Sequence, residues 1–202
     1  MFRNIYFLSR FNAKILLKNR TTPLLLSISF ASVVISLLLA DINISIKHKL
    51  FEDILLISQG YILLFCSIFY TYELILRDRL KGLFVIPLSL GVSRGEYLIS
   101  IFISPALLVV SMFFGFLVID IVFLLFIEDG LYLPLLYQLY FHLLSALLVG
   151  FFIVMFSNFV SLLNSLTYSF VIYLIGQGLD ELYIYFDGHI FSKILYFCFP
   201  NF

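Results

Sequence analysis

Charge is what this sequence has least of. Charged residues make up 12% of the chain and hydrophobic ones 63%, where soluble globular domains carry about 25% charged residues. Between Asp129 and Asp180 no acid, lysine or arginine intervenes, and the mean hydropathy is +1.13. Such a composition belongs to a bilayer. The 12 basic and 12 acidic residues cancel, so the chain lacks the basic field that phosphate binding needs, and no nucleic-acid partner is expected. Cysteine is limited to Cys66 and Cys198, far apart, with Cys66 inside an apolar run; both read as apolar fillers. His48, His142 and His189 are scattered without metal-ligand spacing, so no metal site is expected. There is no Gly-x-x-x-x-Gly-Lys-[Ser/Thr] loop, no His-Glu-x-x-His, and no nucleophile–base or paired-acid constellation in the apolar runs. The expectation is a non-enzyme with no catalytic residues and no cofactor of its own. Tryptophan is absent, leaving tyrosines such as Tyr61, Tyr70, Tyr72, Tyr137 and Tyr140 to form the interfacial belt.

What is present is a series of apolar runs. Thr21–Ala40, Ile54–Tyr72 and Tyr97–Ile119 are free of charge, and a helix needs about 20 residues to cross the hydrocarbon core. The uncharged block after Asp129 is long enough for two more spans, placed near Leu135–Phe156 and Phe159–Gly176, with Ser157, Asn158, Ser161, Asn164 and Ser165 as the polar turn between them. No alternating barrel pattern occurs, so the spans are helices. Thr21–Ala40 is longer than a usual signal core and reads as a retained helix. The expected fold is all-α: one transmembrane domain over residues 1–202, a polytopic membrane helical bundle of about five transmembrane helices. The loop between the first two spans is expected at Asp41–Asp53. The tail from residue 177 holds Ile190–Phe199, too short to cross, and reads as an external or re-entrant segment closed by Pro200.

Orientation follows from the basic residues. Arg3, Arg10, Lys14, Lys18 and Arg20 precede the first span, and Arg77, Arg79, Lys81 and Arg94 follow the second. Only Lys47, Lys49 and Lys193 lie elsewhere. The positive-inside rule puts both clusters, and the N-terminus, in the cytoplasm. At 100° per residue Arg3, Arg10, Lys14 and Lys18 fall in one arc opposite Phe2, Ile5, Leu8, Ile15 and Leu16. Residues 1–20 therefore read as an interfacial helix with its cations at lipid headgroups, the alternative being a flank whose cations only fix topology.

The segment 73–96 carries the mechanism. Glu73, Arg77 and Lys81 recur at helical spacing, with Glu ahead of Arg in the favourable order. Leu74, Leu76, Leu80, Phe84 and Val85 supply apolar surface. Gly82 ends or bends the helix, Pro87 prevents its continuation, and Ser93 is placed to cap a helix beginning at Arg94. The result is a helix–break–helix elbow joined to two spans, suited to passing motion from a soluble partner into the bilayer. The bland alternative is a basic loop that only anchors topology.

This pattern resembles the ABC-2 family of ABC-transporter permeases, whose second and third spans are joined by a coupling helix. The residues that carry the likeness are Glu73 at the end of span two, Gly82-Leu83, Pro87-Leu88-Ser89 and Ser93-Arg94; the family's following Gly-Lys is replaced by Ser100-Ile101. The resemblance implies a permease subunit that works as a homo- or heterodimer with a second permease subunit in the cell's inner (cytoplasmic) membrane. A separate ATPase subunit would bind ATP and Mg and dock at Glu73, Arg77, Asp78, Arg79, Lys81, Gly82, Pro87, Ser93 and Arg94. It also implies a sixth span beyond the closing Phe199-Pro200-Asn201, so a truncated or reduced form is expected. A haem-exporter-like permease of cytochrome maturation and a membrane assembly or scaffold protein without transport are the alternatives. A secondary transporter is disfavoured, because neither a mid-depth charge array nor an internal repeat is evident. Asp120, an acid with long apolar sequence on both sides, is the candidate intramembrane polar site. Glu128 and Asp129 follow closely, placing it near the outer interface, so it reads either as a wet or hydrogen-bonded structural acid or as a cargo or gating residue.

Overall fold

A computed structural model describes residues 2–42, 47–82, 85–89, 91–126 and 133–178. Among them helix is the only regular structure: α1 (Phe2–Leu17), α2 (Thr21–Ile42), α3 (Lys47–Lys81), α4 (Val85–Ser89), α5 (Arg94–Phe126), α6 (Leu133–Ser157) and α7 (Leu162–Gln177). Three stretches are long and apolar enough to cross a membrane, Ile54–Lys81, Arg94–Val122 and Leu136–Ser157. Thr21–Ile35 of α2 is apolar but shorter, and α7, at 16 residues, also falls below the usual crossing length.

Several boundaries differ from the sequence expectation. The loop expected over Asp41–Asp53 is helical at both ends, since α2 runs to Ile42 and α3 begins at Lys47. Lys47–Asp53 contains neither glycine nor proline, so nothing in it opposes helix. The third span does not stop at Ile119; α5 continues through Asp120 to Phe126, because the carboxylate finds a partner inside the bundle. The polar turn lies within the expected stretch but is shorter: residues 158–161 form it, and Asn164 and Ser165 lie inside α7, which begins at Leu162 where the span was expected from Phe159. Helix α6 ends at Ser157, Ser161 accepts the Asn164 N–H at 3.4 Å as the α7 N-cap, and Asn158 Nδ2 donates to the Val154 carbonyl at 2.8 Å. Gly178 closes α7 by donating its N–H to the Leu174 and Ile175 carbonyls. Nearly all of the expected external segment, from residue 179 on, lies outside the described residues.

Helix α3 is the axis of the bundle. In its crossing stretch 61% is buried, against 39% in those of α5 and α6, and α2, α5, α6 and α7 all pack against it. Its closest seam is with α6. A Cβ on Gly60 would lie 2.8 Å from the His142 ring, and one on Gly150 would lie 2.6 Å from Ser67 Oγ. Ser67 in turn donates to the Ala146 carbonyl at 2.6 Å. Lipid tails give helices no hydrophobic reason to associate, so small residues and interhelical hydrogen bonds hold such seams together. Gly150 thus serves contact within the chain, whereas Gly115 is exposed with open space around it. Tyr70 lies in this core, 1% exposed, not in an interfacial belt; Tyr61, Tyr137 and Tyr140 are exposed.

Helix α1 lies mainly against α5. Its buried stripe is Ile5, Ser9, Asn12, Ala13 and Leu16, the helical period read along one face. Arg3, Arg10, Lys14 and Lys18 are exposed, as are Phe7 and Phe11.

Candidate functional site

The elbow is built by two glycines. Gly82 (φ 60°) follows the last residue of α3 and Gly91 (φ 83°) precedes α5, and both conformations disfavour any residue with a Cβ. Open space surrounds each, so backbone conformation alone demands glycine there. Between them α4 is a single turn, and Pro87, half-buried within it, sits where a missing N–H costs little. The break comes from the flanking glycines more than from the proline. At the α5 end Ser93 and Glu96 form a reciprocal cap: the Glu96 N–H donates to Ser93 Oγ at 3.2 Å and the Ser93 N–H to Glu96 Oε2 at 3.0 Å.

The charged run before the elbow does something the sequence does not announce. Consecutive residues on a helix point about 100° apart, so Arg77, Asp78 and Arg79 fan towards different neighbours. Arg77 Nη2 donates to Asn12 Oδ1 of α1 at 3.1 Å and pairs with Asp78 Oδ1 at 3.0 Å. The Tyr97 hydroxyl of α5 donates to Asp78 Oδ2 at 2.6 Å. Arg79 donates to the Ser157 carbonyl at the end of α6, a cation at a helix C-terminus. One turn earlier Glu73 accepts from Thr21 Oγ1 of α2 at 2.7 Å. Four charged side chains of α3 therefore grip four different helices.

This changes the reading of the site. Glu73 and Arg77 share a face, yet Glu73 bonds to α2, and the ion pair of Arg77 is with its own neighbour Asp78. Asp78 is 5% exposed, a residue of the interior and not of the surface. Among the described residues the elbow leaves in the open Arg79, Leu80 (77% exposed), Lys81, Val85, Ser89, Ser93 and Arg94. Two clefts flank it. One of about 640 Å³ lies between α1 and the elbow, bordered by Phe7, Phe11, Asn12, Arg77, Pro87 and Tyr97. The other, of about 430 Å³, lies where α3, α5 and the end of α6 meet, bordered by Asp78, Arg79, Arg94, Tyr97, Val154 and Ser157.

No family model, curated protein or solved structure matches this chain. The site is therefore read from its own geometry.

At the other end of the bundle Asp120 is 1% exposed. Gln59 of α3, itself fully buried, donates from Nε2 to Asp120 Oδ1 at 2.7 Å. Asp120 is thus a hydrogen-bonded acid in an interhelical pair, as one of the two sequence readings has it. The partners Asn12, Thr21, Tyr97 and Ser157 were not singled out from sequence for these roles, and neither was Gln59. Only Gln59 left a signal: a lone carboxamide in the apolar run Ile54–Tyr72, facing a bundle that holds an unpaired acid.

Proposed function

We propose that the chain is the transmembrane permease subunit of an ATP-binding-cassette exporter, moving a substrate across or out of the inner membrane by ATP hydrolysed on a separate subunit. The observation that carries this reading is the elbow. Lys81 and Arg94 belong to the same unbroken helices, α3 and α5, whose apolar stretches are long enough to cross a bilayer. A displacement imposed there enters the first turns of both spans directly, α5 carrying its one internal proline, Pro105, further along. Leu80, Val85, Lys81 and Arg94 are all exposed in the elbow, the mixture of apolar and cationic side chains that a docking patch combines.

In this reading α2 and α7 complete about five crossings, the N-terminus and elbow face the cytoplasm, and the exposed cations of α1 lie at the inner headgroups. A second permease subunit covers part of the apolar outer surface. Arg77 and Asp78 act behind the docking face and exposed Arg79 at its edge, spreading its motion to α1, α5 and α6.

Purification of the full chain from its native membrane tests the proposal. A separate ATP-binding-cassette ATPase is expected to accompany it in stoichiometric amount. The combined charge reversal Lys81→Glu and Arg94→Glu is expected to release that ATPase while leaving membrane insertion intact. Reproducible recovery of the chain without an ATPase contradicts the reading.

A further inference from the structure

The carboxyl group of Asp120 is bonded on one side only. Oδ1 accepts the Gln59 amide, while Oδ2 and Gln59 Oε1 are both buried without a hydrogen-bond partner. These are two acceptors deprived of a donor in adjoining side chains. Their surroundings are apolar: Leu55, Leu56, Ile62 and Leu63 are buried one turn either side of Gln59, and Phe116 is buried one turn before Asp120. An isolated ionised carboxylate in such a place carries a large desolvation cost, which taking up a proton removes.

Among the described residues, other charged and titratable groups offer no substitute. Against α5 pack α1, α3, α4 and α6. The cations of α1, with α4, belong to the elbow end, where Asn12 and Tyr97 meet Arg77 and Asp78. Helix α5 runs roughly 35 Å from Tyr97 to Asp120. On α3 the nearest titratable side chain in sequence is Tyr61, half exposed, and on α6 His142 has its ring against Gly60, beside Gln59. Among the described residues the one polar contact of Asp120 is Gln59. A calcium ion takes six to eight oxygen ligands, and this site has two orphan oxygens.

We propose that Asp120 and Gln59 form an intramembrane proton-binding site, in which a neutral Asp120 carboxyl and the Gln59 carboxamide bond reciprocally across the α3–α5 seam. Gln59 Nε2–H donates to Oδ1, and the bound proton, on Oδ2, is donated to Oε1. One proton taken from water satisfies both orphan atoms and leaves no charge in the seam. Separating α3 from α5 admits water, and the carboxyl then releases that proton; closing the seam takes one up. Relative movement of the two helices is thus linked to proton uptake and release. This inference stands whether or not the chain is a permease.

Isotope-edited infrared spectroscopy of the full chain in lipid bilayers at neutral pH tests it, with aspartate carboxyls labelled with carbon-13 to separate them from glutamate and lipid ester bands. A protonated-aspartate C=O band is expected, lost in Asp120→Asn and unchanged when sodium, potassium or magnesium salts are exchanged. Gln59→Leu, which removes the partner, is expected to shift the band to higher frequency. Absence of any protonated-aspartate band overturns the proposal, since Asp120 is then ionised beside a water or a cation. A band that disappears on adding one of the salts overturns it in favour of a cation site. A band that survives Asp120→Asn, or stays in place in Gln59→Leu, overturns it too, and the labelled unsubstituted protein with Gln59→Leu decides the matter if Asp120→Asn does not fold.

Discussion

Two buried aspartates mark the two ends of this bundle, and they are buried in opposite ways. Asp78 is matched as an anion: the Arg77 guanidinium lies on one oxygen and the Tyr97 hydroxyl on the other. Asp120 has a single neutral amide on one oxygen and, among the described residues, no partner on the other. The run of α3 from Gln59 to Asp78 covers roughly 28 Å at 1.5 Å per residue, close to the thickness of a hydrocarbon core. The elbow end is thus a charged clasp joining several helices, and the far end a neutral stitch between two. An acid in an apolar bundle is not one kind of feature; its partners decide whether it holds a charge or a proton.

The comparison is broken most forcefully at Asp78. Replacing it with Asn leaves the Arg77 guanidinium without its counter-ion, and breaking a buried pair in this way costs about 3–5 kcal/mol. Asp120→Asn, the same substitution on the other acid, is expected to cost less than about 1 kcal/mol, because an amide replaces a carboxyl already neutral. Reversible unfolding of both variants in mild detergent, compared with the parent chain, measures the difference; equal losses would erase the contrast. Tyr97→Phe sharpens it. Removing one hydrogen bond to a charged group is expected to cost roughly 1.5–3 kcal/mol, and a change below experimental error would mean that the hydroxyl is not part of the clasp.

Smaller effects are expected where the ends are joined. Gly60→Ala brings a methyl group against the His142 ring, and such overpacking costs typically about 1–3 kcal/mol. The companion change His142→Ala is expected to recover much of that loss in a double-mutant cycle, and additive losses would show the two positions to be independent. Smallest of all is the intrinsic stability change of Lys81→Glu with Arg94→Glu. Both side chains are exposed at the elbow, so unfolding is expected to shift by no more than about 0.5 kcal/mol per site. A large loss would place these residues in the clasp.

The apolar runs made the helices legible, and Ser157 to Ser165 made the turn before α7 legible, because length and polarity act locally. Gly82 and Ser93 marked the elbow for the same reason. The clasp was hidden. Arg77, Asp78 and Arg79 read as solvent-facing because charge usually is; the placement of Asn12 and Tyr97 turns Arg77 and Asp78 inward, while Arg79 stays exposed and reaches the Ser157 carbonyl. Those partners come from α1, α5 and α6, at separations no local pattern records. Gly91 was passed over because a glycine in a loop carries no mark of a left-handed conformation. Asp120 was visible as an anomaly, but its partner Gln59 lies on another helix, and pairing the two needed the fold.

The account rests on the elbow being the face that a soluble ATPase engages from the cytoplasm. Photocrosslinking from a reactive group at Leu80, which is 77% exposed, addresses this in native membranes. The account predicts a crosslink to an ATP-binding-cassette subunit that is lost in Lys81→Glu with Arg94→Glu. Crosslinks to lipid alone, or reaction of position 80 with an impermeant label applied from outside the cell, would contradict it.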